Sequence, residues 1–285
     1  MKIAEKYINP FTDFGFKKLF GTEPNKDLLI DFLNQVLPPI HQIQDLTYLN
    51  NEHLGNAELD RKAIFDLYCV SNSGERFIVE MQKAKQNYFK DRSVYYSTFP
   101  IQEQALRGDW NFKLSAIYTV GILDFIFSED KLDNEVLHTV QLKNQKNVIF
   151  FDKLTYIYVE LPKFNKAEDA LKTSFDKWLY VLKRLPELEK RPAALQERIF
   201  QKLFEAAEIA KFSKNESELY ESSLKYYRDL KNVIDTAEDE GERKGVEKTI
   251  NKVAIEMLKE GENISKIAKY TGLTEDEIES IRTSL

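Results

Sequence analysis

Apolar positions along the chain change their spacing several times, and each change marks an element. Near the start, "FTDFGFKKLFGTEPNKDLLIDFLNQVL" reads as helix, break, helix. Thr12 or Asp13 can cap the first helix, Gly21 and Pro24 interrupt, and Leu28, Leu29, Phe32, Leu33 and Val36 then recur at helical spacing until Pro38 and Pro39. After a polar passage at 50–56 come two strand-like runs, 63–70 and 76–82. They are joined by "SNSGE", so a hairpin is the economical connection. Residues 88–107 suit a helix that Pro100 kinks or splits. "LSAIYTVGILDF" is apolar enough for a strand buried on both faces, and "EVLHTVQLKN" and "LTYIYVELPKF" supply two more. This first part predicts a mixed sheet with flanking helices, of the α/β or α+β class.

The pattern changes after Phe164. Segments 167–186, 193–212 and 216–235 carry helical periodicity, and no strand signal returns. The charge-dense 236–261, weakened as a helix by Gly241 and Gly245, reads as a linker. "NISKIAKYTGLTEDEIESI" has helix–turn–helix texture, with Gly272 at the turn and Thr274 as N-cap. Four acids against two lysines make this tail poor as a DNA recognition helix, so it reads as a protein–protein or regulatory element. The expected division is a sheet-bearing domain over 1–164, an all-helical extension over 165–235, and a linker with a small helical element over 236–285. The helical C-terminal region is also where a homo-oligomer would assemble.

Composition narrows the chemistry. At 42% hydrophobic and 31% charged residues the chain is not generally disordered. No apolar run reaches the roughly 18–20 residues that span a bilayer, so no membrane partner is expected. "MKIAEKYINPF" lacks the apolar core of a secretory signal. Cys69, the single cysteine, sits in an apolar run, which rules out an intramolecular disulfide and fits a reducing, cytoplasmic compartment. His41, His53 and His138 are scattered, which argues against a Cys/His zinc site, and no GxSxG elbow accompanies them. Trp110 and Trp178 are assigned to packing. The net charge of −6 means that contact with nucleic acid must rely on a local basic patch.

Two acids interrupt the predicted hairpin. Alternate residues of a strand share a face, so Asp66 joins Ile64 and Tyr68, while Glu80 joins Ile78 and Gln82. A turn centred on Ser73 sets Asp66 opposite Glu80, with Cβ atoms about 4.5–5.5 Å apart. Two ionised carboxylates at that spacing repel unless a cation lies between them or one is protonated. Their oxygens suit Mg²⁺, or Mn²⁺, completed by water and phosphate. The alternative is an amphipathic hairpin with a solvated polar face. Against it stand the apolar flanks and the following "KAKQNYFKDR", where Lys83, Lys85, Lys90 and Arg92 outnumber Asp91. Metal-holding acids beside cations that hold a phosphate backbone make chemical sense together.

The ordered set "INPFTDFGFKKLFG", "FDLYCVSNSGERFIVEMQ", "DRSVYYSTFPIQEQALRGDW" with "KLSAIYTVGIL", and "YIYVELPKF" resembles the Rpn family of recombination-promoting nucleases and putative transposases. That family lies within the PD-(D/E)XK nuclease superfamily, and the likeness covers roughly residues 8–164. It implies a PD-(D/E)XK nuclease-like core acting as a Mg²⁺-dependent DNA endonuclease linked to recombination or mobile DNA. Asp66 and Glu80 would be catalytic metal ligands, and Asp13, at the family's early acidic position, a third metal contact. Gln82 occupies the place of the superfamily's usual lysine and can only orient through hydrogen bonds. Lys83 has the wrong parity to replace it directly. With Lys85, Arg92 and Tyr96 it is a candidate DNA contact, Arg92 also as a charge stabiliser. Tyr96 reads first as packing and second as a contact, and Asp13 reads at least equally as a helix cap. No organic cofactor is implied. The competing reading is a catalytically weak nuclease-like scaffold that binds DNA or a protein partner.

Overall fold

The computed structural model describes residues 5–38, 41–50, 52–53, 63–105, 111–127 and 133–285, with 52–53 and 63–64 as backbone only. Trp110, the end of the helix expected over 88–107, much of the polar passage at 50–56, and the His53 side chain lie outside the described residues.

Helix α1 (Asp13–Phe20) begins where Thr12, not Asp13, caps it: the Thr12 hydroxyl accepts the Gly15 N–H at 2.9 Å. A Cβ on Gly15 would stand 2.1 Å from the Asn9 carbonyl oxygen, so only glycine fits this close turn. Helix α2 (Lys26–Val36) buries the five apolar residues of its predicted stripe. Strands β1 (Leu46–Tyr48), β4 (Leu67–Ser71), β5 (Arg76–Gln82), β6 (Ile117–Leu123), β7 (Leu137–Lys143) and β8 (Ile149–Glu160) form one sheet in the order β1-β4-β5-β6-β8-β7. The central pairs β5–β6 and β6–β8 are parallel and the rest antiparallel. A separate two-stranded pair joins β2 (Glu52–His53) to β3 (Ala63–Ile64). The run 63–70 is therefore two strands, parted by a bend at Asp66.

Strand alternation sorts the side chains into two layers. Leu67, Cys69, Phe77, Val79 and Met81 enter the main core with β6, β8, α1, α2, α4 (Ser174–Arg184) and α5 (Arg198–Ala207). Trp178 of α4 lies at its centre, and its indole N–H donates to Asp31 at 2.6 Å. On the opposite face Tyr68 and Ile78 pack with Phe65 against Tyr96 and Phe99 of α3 (Phe89–Glu103), the helix that crosses from β5 to β6. Helix α3 runs through Pro100, and its Ser97 hydroxyl bonds Tyr156 of β8 at 2.8 Å.

Helix α6 (Lys214–Lys259) contains the whole charge-dense stretch expected as a linker up to Lys259. Each internal glycine costs a helix only about 1 kcal/mol relative to alanine. Between Gly241 and Gly245 and around them stand mostly strong helix formers, enough to carry the helix across both. The chain forms two compact units, Met1–Tyr227 and Arg228–Leu285. In the second, the last turns of α6, α7 (Ile264–Thr271) and α8 (Glu275–Thr283) enclose Ala254, Ile267 and Ile278. Gly272 ends α7 in the left-handed region, and Thr274 opens α8 with a capping box, as the spacing predicts. No helix among the described residues is long and apolar enough to cross a membrane.

Candidate active site

The β4–β5 hairpin turns tightly through Ser71–Glu75, with Gly74 at φ +94°, a left-handed conformation that favours glycine. Tyr68 pairs with Ile78 and Leu67 with Val79, the register a turn centred on Ser73 demands. One step further, just beyond the last ladder pair, Asp66 meets Glu80. The Asp66 N–H donates to Glu80 Oε1 at 3.3 Å, and the Met81 N–H donates to Asp66 Oδ2 at 2.7 Å. Each carboxylate is thus held by backbone from the other's strand. Gln82 Nε2 donates to Glu80 Oε2 at 3.2 Å, so the amide steadies the second acid.

Burial gives this pair its chemistry. Glu80 is 6% exposed, and burial, reinforced by the Asp66 charge, pushes its pKa up to about 8. Arg92, the Asp66 N–H and the Gln82 amide pull the other way. Asp66 is half-buried and also raised, chiefly by desolvation, with the Met81 N–H, Lys17 and Lys83 opposing the shift. Neither carboxylate forms an ion pair among the described residues. Glu160, an equally buried acid at the end of β8, is different: Lys163 Nζ lies 2.5 Å and His138 Nε2 3.0 Å from its Oε2. One acid is neutralised by the protein; the pair is not.

The expected cations surround the pair unevenly. Arg92 is half-buried, its guanidinium 5.7 Å from the Tyr96 ring and 5.4 Å from Phe89, with one arm bonded to Gln86. Its Nη2 is buried without a hydrogen-bond partner. Tyr96 feels both Glu80 and Asp66, and it packs edge-on against Phe65 at 5.2 Å, so packing and proximity to the acids hold together. Lys83 follows the end of β5, where strict alternation lapses. Burial lowers its pKa, while Asp13 and Asp66 oppose that, which sets its ammonium among the acids. Its Nζ lies 5.7 Å from the Tyr226 ring of α6, a neighbour the sequence did not signal. Lys85 is exposed and lines a different cleft, with Lys90 and Phe127.

Asp13 lies close enough for its charge to act on both Asp66 and Lys83. It is exposed, ion-paired to Lys17 at 2.9 Å, and no group of three acids, histidines or cysteines among the described residues is arranged to share an ion. A cleft of about 440 Å³ opens beside Asp66, lined by Phe14, Lys17, Lys18, Tyr48 and Tyr68 among others. Two carboxylates that form no ion pair among the described residues, with room beside Asp66 for water and a phosphate, fit a divalent ion that takes one or two carboxylates.

Over residues 10–237 the sequence matches the family described as PD-(D/E)XK nuclease family transposase. The chain belongs to that family. No curated protein and no solved structure matches it. The PD-(D/E)XK assignment spans the mixed sheet and runs on through α4, α5 and the first half of α6, well past the 8–164 that the motifs alone cover. Nucleases of this kind typically use divalent metals and act on DNA. Glu160 carries the same sequence signal as Glu80, an acid inside an apolar strand, and only the fold separates the neutralised acid from the open pair.

Proposed function

We propose that the chain is a Mg²⁺-dependent DNA endonuclease, with Mn²⁺ as an alternative ion, acting in the cytoplasm on recombining or mobile DNA. The observation that carries this reading is the buried, mutually laced Asp66–Glu80 pair with no cation of its own. Ionising a second buried acid beside the first is costly, which is why Glu80 holds its proton up to about pH 8, and a divalent ion would remove that cost. Asp66 and Glu80 would hold the ion, and Gln82 would keep Glu80 Oε2 in place. When bound, the ion polarises the scissile phosphate and makes a coordinated water more acidic. Gln82 cannot take a proton, so proton removal falls to bulk water or a neighbouring group. Arg92, braced on Tyr96 and Phe89, and Lys83 would place positive charge along the phosphate backbone.

Plasmid DNA with Mg²⁺ or Mn²⁺ tests the reading, with the full chain beside Asp66→Ala and Glu80→Ala. Nicking by the parent, lost in both variants while DNA still shifts on a gel, supports it. Equal nicking by all three points to a contaminant. A shift with no nicking favours the scaffold reading, to which the missing proton-transfer group at Gln82 lends weight.

A further inference from the structure

Strand β8 outruns its neighbour. Its pairing with β6 starts at Leu154, whereas the strand itself starts at Ile149. The β7–β8 hairpin therefore projects past the sheet as a two-stranded ribbon, and every residue over 142–150 is exposed. Its tip is well built. Asn144 Oδ1 accepts the N–H groups of Lys146 at 2.9 Å and Val148 at 3.1 Å, and Asn147 takes the left-handed turn position at φ +60°. A rigid tip that holds Val148, Ile149 and an 82% exposed Phe150 in water is unusual for a surface with no partner. Charge indicates the partner. Between Glu135 and Asp152 there is no acid in a chain of net charge −6, while Lys143 and Lys146 stand there without ion pairs among the described residues.

We propose that this ribbon is a second DNA-binding element, an arm that grips duplex DNA away from the cleaving site. Two unpaired lysines meet phosphates, a two-stranded ribbon has the width of a major groove, and an exposed aromatic ring offers an apolar face to sugars or bases. Glu80 shares a sheet row with Gly121 and Tyr158. From Tyr158 back to Ile149 the strand covers about 30 Å at ~3.3 Å per residue, the length of about nine base pairs. The arm takes its DNA ligand from the proposed function, yet it is separable from cleavage.

Binding is measured against salt in the full chain carrying Asp66→Ala, with and without Lys143→Gln and Lys146→Gln, on a hairpin-closed duplex of about 6 base pairs, too short to reach from the acids to the ribbon, and on one of about 40. Each lost phosphate contact lowers the salt slope by about 0.9. The expected result is a slope reduced by about 2 on the long duplex and unchanged on the short one. An unchanged slope on the long duplex overturns the arm, and an equal change on both lengths overturns its remote placement. A shift in sedimenting mass with unaltered DNA binding, also seen with Phe150→Ala, would make the ribbon a protein interface and overturn the proposal. Thermal unfolding of each variant checks that the fold is intact. Short-duplex cleavage by the parent chain reports on the nuclease reading alone: cleavage with an unaltered slope sinks only the arm, and a reduced slope without cleavage sinks only the nuclease.

Discussion

Two antiparallel hairpins of one sheet meet opposite fates. The β4–β5 hairpin is enclosed: β1 pairs with one side, β6 with the other, the main core covers one face and α3 the other. The β7–β8 hairpin is enclosed only at its base and runs into solvent beyond Leu154. Glu75 and Glu80 lie in the enclosed hairpin, whereas the stretch 136–151 of the other carries no acid, and its Lys143 and Lys146 form no ion pair among the described residues. A carboxylate at the ribbon tip would be an ordinary surface charge. At Glu80 the same group is desolvated, opposed by Asp66 and short of a cation. Surroundings rather than residue type set what a carboxylate's charge costs.

The largest effect should come from the enclosed acids. Asp66→Ala or Glu80→Ala is expected to lower the nicking rate at least ~10³-fold, since a metal ion's charge stabilisation contributes several kcal/mol. Initial rates on supercoiled plasmid measure this, and a loss under tenfold would put the chemistry elsewhere. Packing comes next. Phe77 of β5 is buried and stacked on Tyr118, ring centroids 5.2 Å apart at 11°. Phe77→Ala should destabilise the first unit by about 3–5 kcal/mol, read as a lower urea midpoint.

Titration sharpens the contrast further. Glu80 has an ordinary value of 4.5 and is held near 8 in the fold. As pH rises past 4.5 the unfolded chain ionises first, while the folded chain keeps its proton until about 8. The metal-free protein should therefore lose stability steadily between these limits. Glu80→Gln should flatten that loss, and Mg²⁺ should offset it near pH 8. Thermal unfolding in chelator from pH 5 to 8.5 measures both. A parent chain as stable at 8.5 as at 5, against an identical variant, would mean that Glu80 is not strained by its surroundings.

The register of the enclosed hairpin was legible because its turn is short and both faces are buried, so a one-residue slip would expose every core side chain. The helix–turn–helix tail was legible from Gly272 and Thr274 for a similarly local reason. What failed was reasoning that lacked neighbours. Gly241 and Gly245 looked like breaks, but the residues around them outweigh two modest propensity costs. Glu160 needed Lys163 and His138 in place before it could be told from Glu80.

The smallest effect is expected at the other hairpin, where its size matters most. Phe150 is as large as Phe77 and lies in a strand of the same sheet, but it is 82% exposed. Truncating it removes little that is buried, so Phe150→Ala should change stability by no more than about 0.5 kcal/mol. The same urea titration that exposes the Phe77→Ala defect measures it. A loss of several kcal/mol would mean that the ring packs within the folded chain in solution, and the contrast between a closed, acid-bearing hairpin and an open ribbon would fail. A negligible change leaves Phe150 as a large apolar side chain held in water at no benefit to folding, as expected of a ring that meets a partner at the ribbon.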